Sequence, residues 1–256
     1  FTVGTEPASV VVNGYMYVVG GGTTVEYGKI MADGSVPSVS ATTSLPASKT
    51  RLAAVAHNGY MYAIGGGTSN TVYFSRINAD GTLGSWKSTT SLTTSGTNHS
   101  AAIYKGNLYV VSSGSGNPVI HAKINPDGTV GSWTTSSMTG GTRPSIVVVN
   151  SKLYEFNGQS TDTVQYADIA SDGTLSGVTT GSFDLPIAPY KTRPLFMNGY
   201  LYAFTDDLVT PQMYYAKVNS DGTIGSWNTT STTLWSSGSG SYTSPISAYN
   251  GYVYAA

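Results

Sequence analysis

The chain has 256 residues, 12 Lys and Arg against 13 Asp and Glu for a formal net charge of −1, and charged residues make up only 10% of it, against roughly 25% in an average soluble domain. No basic excess points to nucleic acid, no apolar run reaches the about 18 residues of a membrane-spanning helix, and the lack of cysteine excludes disulfides, thiolate zinc sites and cysteine nucleophiles. Ser, Thr, Gly, Asn and 19 Tyr dominate instead, a composition that leads us to expect a secreted or cell-surface protein.

The segment NGYMYVVGG from Asn13 is nearly repeated as NGYMYAIGG from Asn58. Weaker copies follow as KGNLYVVSS from Lys105, NSKLYEFNG from Asn150, NGYLYAFTD from Asn198 and a shortened NGYVYAA at Asn250. A second series has the same period: Asp-Gly stands at Asp33, Asp80, Asp127, Asp172 and Asp221, spaced 47, 47, 45 and 49. Six residues after each Asp come Val39, Trp86, Trp133, Val178 and Trp227. Two anchor series with one period define the repeat.

One repeat reads as four strands. Arg51 to His57 is a short apolar run, and Asn58-Gly59 is a turn of the I′ kind, which needs positive φ at both residues. Tyr60 to Ile64 is an aromatic and β-branched strand. Thr71 to Ile77 is a third strand, Asn78 to Gly81 a second turn, and Thr82 to Ser88 a fourth strand carrying Trp86.

Four antiparallel strands in about 47 residues describe a β-propeller blade. Middle strands apolar on both faces fit a blade covered by two neighbours, whereas a two-layer sandwich would alternate more cleanly. The predicted fold is all-β, a single β-propeller over 1–256. Its blades span about 6–45, 46–92, 93–138, 139–185 and 186–234, with a partial blade over 235–256. The expected number is six, the sixth lacking its outer pair. That pair is expected from chain beyond Ala256 or from another subunit, with Phe1 to Thr5 covering part of the edge, so self-association through the open blade is a further expectation.

The strand, the turn, the aromatic strand ending in Gly20-Gly21 or Gly65-Gly66 and the later Trp resemble the kelch motif over nearly the whole chain. In later repeats the doublet becomes Ser112-Ser113, Asn157-Gly158 and Thr205-Asp206. The resemblance implies a propeller whose inner strands open at the mouth of a central channel. Seven residues before the hairpin anchors stand Glu6, Arg51, Asn98, Arg143 and Thr243, with Arg193 displaced by two. In kelch substrate adaptors, arginines placed like Arg51 and Arg143 bind acidic ligands, and forked guanidinium groups suit carboxylates. The competing reading is that they bond backbone carbonyls of adjacent blades. The copper chemistry of galactose oxidase, another kelch-like protein, needs a cysteine that this chain lacks.

No metal constellation and no HExxH, GxSxG or phosphate-loop motif occurs, so no catalytic residue, metal or cofactor is assigned. Of the histidines His57, His99 and His121, only His99, near the start of an inner strand, attracts a functional reading. The expectation is a non-enzymatic extracellular or surface module that recognises a glycan or protein ligand at the channel mouth through Arg51, Asn98, His99, Arg143 and Arg193. A self-assembling structural surface protein is the alternative, and a kelch-type carbohydrate-active enzyme such as a sialic-acid isomerase is the second alternative.

Overall fold

The computed structural model describes residues 1–2, 4–114, 116–159, 161–181, 183–206, 212–230 and 245–256. All regular structure among them is β. The first blade is β1 (Ala8–Val12), β2 (Tyr15–Val19), β3 (Val25–Lys29) and β4 (Ser40–Ala41). The second is β5 (Ala53–His57), β6 (Tyr60–Ile64), β7 (Val72–Arg76) and β8 (Lys87–Ser88). The third is β9 (Thr97–Tyr104), β10 (Asn107–Ser113), β11 (Pro118–Lys123) and β12 (Thr134–Thr139). The fourth is β13 (Ser145–Val149), β14 (Lys152–Phe156), β15 (Val164–Ile169) and β16 (Leu175–Thr180). The fifth is β17 (Lys191–Met197), β18 (Tyr200–Asp206), β19 (Gln212–Lys217) and β20 (Asn228–Thr229). Each is an antiparallel sheet in sequence order, and β21 (Ile246–Tyr249) with β22 (Tyr252–Ala255) forms a two-stranded sheet. This is the β-propeller arrangement that the repeat predicts, with five full blades and two strands of a sixth among the described residues.

Local chemistry explains the elements. Asn13-Gly14 (φ 52° and 77°), Asn58-Gly59 (46° and 79°) and Lys105-Gly106 (47° and 75°) are left-handed at both turn residues. That geometry twists with the strands it joins. In each Asp-Gly turn one carboxylate oxygen accepts from the backbone N–H and the hydroxyl of the residue two further on: Ser35, Thr82, Thr129, Thr174 and Thr223. These bonds lower the carboxyl pKa at all five aspartates and close the turn locally.

The described residues group into two compact units. Unit one comprises Phe1–His99, Ala122–Trp133 and Thr243–Ala256; unit two comprises Ser100–His121 and Thr134–Tyr242. In unit one Tyr17, Val19, Leu52, Met61 and Leu83 pack into one core cluster. A second gathers Met16, Val18 and Ile30 under Phe1, Tyr249 and Tyr254. Among the described residues of the stretch before Glu6 none pairs with β22: the Thr5 amide donates to the Gly21 carbonyl and the Thr2 amide to Glu26. Unit two has cores around Tyr109, Met138 and Leu153 and around Tyr154, Phe156 and Leu201.

One device locks neighbouring blades. In unit one the buried Tyr17 hydroxyl donates to the Gly81 carbonyl (2.7 Å) and Tyr62 to Gly128 (2.9 Å). In unit two Tyr109 donates to Gly173 (2.8 Å) and Tyr154 to Gly222 (2.6 Å). The glycine must lack a side chain, because a Cβ on Gly81 would lie 2.6 Å from the Tyr15 ring and one on Gly128 2.7 Å from Tyr60. Burial pushes the phenol pKa of all four tyrosines up, that of Tyr109 to about 12.

Two further bonds repeat beside it. Thr42 Oγ1 accepts the Leu83 amide and Thr89 Oγ1 the Val130 amide, both at 2.8 Å. Trp86, Trp133 and Trp227 donate Nε1 to the carbonyls of Thr43, Thr90 and Phe183. The tryptophans occupy equivalent sites and bridge blades, but each ring is only half buried. Val39 and Val178, at the corresponding positions, are 36% and 39% exposed.

Candidate functional site

The residues that open the inner strands share an unusual backbone. Glu6, Arg51, Asn98 and Arg143 have φ of 48°, 58°, 51° and 50°. Left-handed backbone at a residue other than glycine costs on the order of 1–3 kcal/mol and persists only where the surroundings impose it. Thr243 lies outside the described residues, and Arg193 sits within β17 without this conformation.

In unit one the imposing contacts are visible. The Arg51 amide donates to the Glu6 carbonyl (2.9 Å), and the His99 amide to the Arg51 carbonyl (3.1 Å). Successive inner strands are thus stitched at Glu6, Arg51 and Asn98-His99. The Arg51 Nε also donates to the Glu6 carboxylate. The Glu6 side chain is 8% exposed and that of Arg51 41%, so the pair is rooted inside while part of the guanidinium faces solvent. The terminal nitrogens of Arg51 have no hydrogen-bond partner among the described residues.

His99 is buried beneath the second blade's glycine doublet. Its Nδ1 accepts from the Gly66 amide (3.2 Å), and a Cβ on Gly65 would lie 2.4 Å from its ring. Nδ1 is therefore unprotonated and Nε2 carries the hydrogen, buried without a partner among the described residues. Burial, with a smaller contribution from Lys49, lowers the His99 pKa to about 4, so the ring is neutral at physiological pH. Lys49, itself buried, donates to Ser69 Oγ (2.6 Å) and lies over the Tyr73 ring.

In unit two the arginines are held by other side chains. The Arg143 guanidinium stacks on Tyr190 with its carbon 4.0 Å from the ring centre and donates to the Tyr190 hydroxyl. The Arg193 Nη1 donates to the buried Asp206 carboxylate at 2.6 Å, and the Arg193 side chain is only 12% exposed.

Glu155 escaped the sequence reading. It is fully buried on β14, with its carboxylate accepting from the Gly141 amide (3.1 Å) and from Gln165 Nε2. Gln165 also donates to the Thr139 carbonyl (2.7 Å). Burial raises the Glu155 pKa to about 7 against the pull of these bonds. The signal was present: the same place in other repeats carries Val18, Ala63, Val110 and Ala203. Among the described residues no group of three or more His, Cys, Asp or Glu could hold a metal ion.

The fold and these contacts define the chain as a β-propeller with polar inner-strand openings. No protein-family model matches it, and no curated protein matches it.

Proposed function

We propose that this chain is a kelch-like, non-enzymatic binding propeller of the cell surface or extracellular space. It takes an anionic group of a glycan or protein ligand, a uronate or sialate carboxylate or an acidic side chain, on the Glu6–Arg51–Asn98 row of unit one. The observation that carries this reading is the half-exposed Arg51 guanidinium, anchored through Nε to the nearly buried Glu6 on left-handed backbone. A guanidinium preorganised in this way offers its outer edge to a carboxylate with little rotamer entropy left to lose. The stacked Arg143 of unit two is a second cation of the same kind, while Arg193 and His99 act as supports. The glycine doublets against the next inner strand, at Gly20 with Leu52 and Gly65 with His99, support the kelch-like part of the reading.

The test is a glycan array and an acidic-peptide array on the purified chain, followed by titration of the best hit. Arg51→Lys keeps a cation beside Glu6 and loses the fork, so affinity should fall about tenfold, or roughly 1.4 kcal/mol, with the melting point unchanged. Glu6→Gln with Arg51→Ala removes both charges without leaving a carboxylate buried alone, and should abolish binding. Unaltered binding by both variants would show that this row does not hold the ligand.

A further inference from the structure

A cavity of about 530 Å³ opens beside the outer strands of the second blade, lined wholly by residues of unit one. That volume lies within the roughly 300–1,000 Å³ of small-molecule sites. One wall is a face of the sheet: in register Tyr60 stands opposite Arg76, Tyr62 opposite Phe74, and Phe74 opposite Lys87. Cross-strand partners share a face, so Arg76 and Lys87 are diagonal neighbours on it. The Asp127 turn of the next repeat lines another side; its Gly128 rests on the Tyr60 ring and accepts the Tyr62 hydroxyl. Two bonds fix the outer strand that carries Lys87. Ser75 Oγ donates to the Gly84 carbonyl (2.7 Å), and Trp86 Nε1 to the Thr43 carbonyl (2.8 Å).

Three charged groups line this cavity without pairing. The Arg76 guanidinium and the Lys87 ammonium are exposed and make no hydrogen bond or ion pair among the described residues. Asp127 engages Oδ1 with Thr129 and has Oδ2 to offer. No other repeat holds this set. The place of Arg76 carries Lys29, Lys123, Asp168 and Lys217, and that of Lys87 carries Ser40, Thr134, Thr179 and Asn228. In the fourth repeat Asp168 pairs with Lys152 at 2.6 Å, so the cation there is already taken.

We infer that this cavity is a binding site for an acidic pyranose, a sugar residue that carries a carboxylate. Two neighbouring unpaired cations suit a carboxylate, the guanidinium as a fork and the ammonium as a point charge. Asp127 disfavours a ligand that is anionic throughout, such as a run of acidic side chains, because like charges would meet; its free oxygen accepts instead from neutral hydroxyls. Ser85 and Ser88, both exposed, add hydroxyls, while Tyr60 and Phe74 offer the sugar ring an apolar wall. The site is separate from the Glu6–Arg51–Asn98 row. Ala53, Ile64 and Val72 align at one end of the sheet, and His57, Tyr60 and Arg76 at the other. Arg51 precedes the first end, so Arg51 and Arg76 lie about 20 Å apart along the strands.

The experiment titrates the full chain and its Arg51→Lys variant with digalacturonate by calorimetry. Saturable binding with a Kd of about 1 mM or tighter is expected in both. Lys87→Ser and Arg76→Lys install residues that other repeats carry at the same places, so the melting point should hold. In the Arg51→Lys background, Lys87→Ser should weaken binding about fivefold, and Arg76→Lys, which keeps a cation but loses the fork, about threefold. The methyl diester of digalacturonate, neutral but otherwise the same, should bind at least about fivefold more weakly. No saturable binding, or binding in that background that neither substitution changes, would overturn the inference. Binding that instead falls with Arg51→Lys alone would belong to the inner row, whose reading would then stand without this one. Equally tight binding of the diester, of inorganic sulfate or of glycine would also overturn it, by showing that the site does not select an acidic sugar.

Discussion

Replacing Glu155 with glutamine should change stability with a sign that reverses with pH. Burial raises the folded-state pKa to about 7 from the ordinary 4.5. A carboxyl whose pKa is raised by folding contributes stability that is fully present below pH 4.5 and is lost as pH rises through 7. The difference of about 2.5 units corresponds to about 3 kcal/mol lost between pH 4 and 8. The substituted amide would not titrate and can accept from Gln165, but it cannot also accept the Gly141 N–H, which keeps Asn157 Oδ1 as its other acceptor at 3.0 Å, so the loss is at most about 1 kcal/mol. The Glu155→Gln variant should therefore be at most about 1 kcal/mol less stable than the parent at pH 4 and at least about 2 kcal/mol more stable at pH 8, crossing below about pH 6. Urea titrations followed by tryptophan fluorescence at half-unit pH steps measure this. His99 works in the opposite direction: its pKa, lowered to about 4, gives stability that is lost as pH falls from 6.5 through 4. Because parent and variant share His99 and the aspartate turns, those contributions cancel in the difference. A parent-minus-variant difference that stays flat from pH 4 to 8 would refute the buried, protonation-linked Glu155.

Further outcomes follow from the same contacts. Trp133→Phe should cost about 1 kcal/mol through the lost bond to the Thr90 carbonyl, and Trp133→Ala about 2–3 kcal/mol, less than for a fully buried ring because part of this one stays in water; denaturant midpoints check both. Gly65→Ala should cost about 2–4 kcal/mol by meeting the His99 ring on left-handed backbone, and His99→Ala should recover more than about 1 kcal/mol of it in a double-mutant cycle. Arg193→Ala should destabilise by about 3 kcal/mol, because the buried Asp206 carboxylate loses its cation, and adding Asp206→Asn should restore part of that loss in thermal melts.

The fold was legible because its punctuation is local. Asn-Gly and Asp-Gly specify their turns through the backbone of the residues themselves, so two series with one period located the strands before any packing was known. The bonds between blades were less legible, since each joins residues far apart in the chain. Tyr17 meets a glycine 64 positions on and Tyr154 one 68 on, and neither residue type announces that partner. The candidate site lay between these cases. Its register at Glu6, Arg51, Asn98 and Arg143 was readable from spacing alone, but the left-handed backbone there was not, because of these types only Asn favours it. The side-chain partners of the arginines depend on what faces them: Asp206 for Arg193 and Tyr190 for Arg143. The loss of the glycine doublet in the third repeat is the instructive departure. Gly20 and Gly65 leave room for the next inner strand to press against them, at Leu52 and His99. In place of the doublet the third repeat carries Ser112-Ser113, and the Ser113 hydroxyl accepts the Arg143 amide at 3.0 Å. A side-chain acceptor thus holds the left-handed Arg143 where Arg51 is held by the Glu6 carbonyl. What looks like decay of the motif is a change of bonding partner at a preserved joint, which is why the propeller persists where the sequence pattern fades.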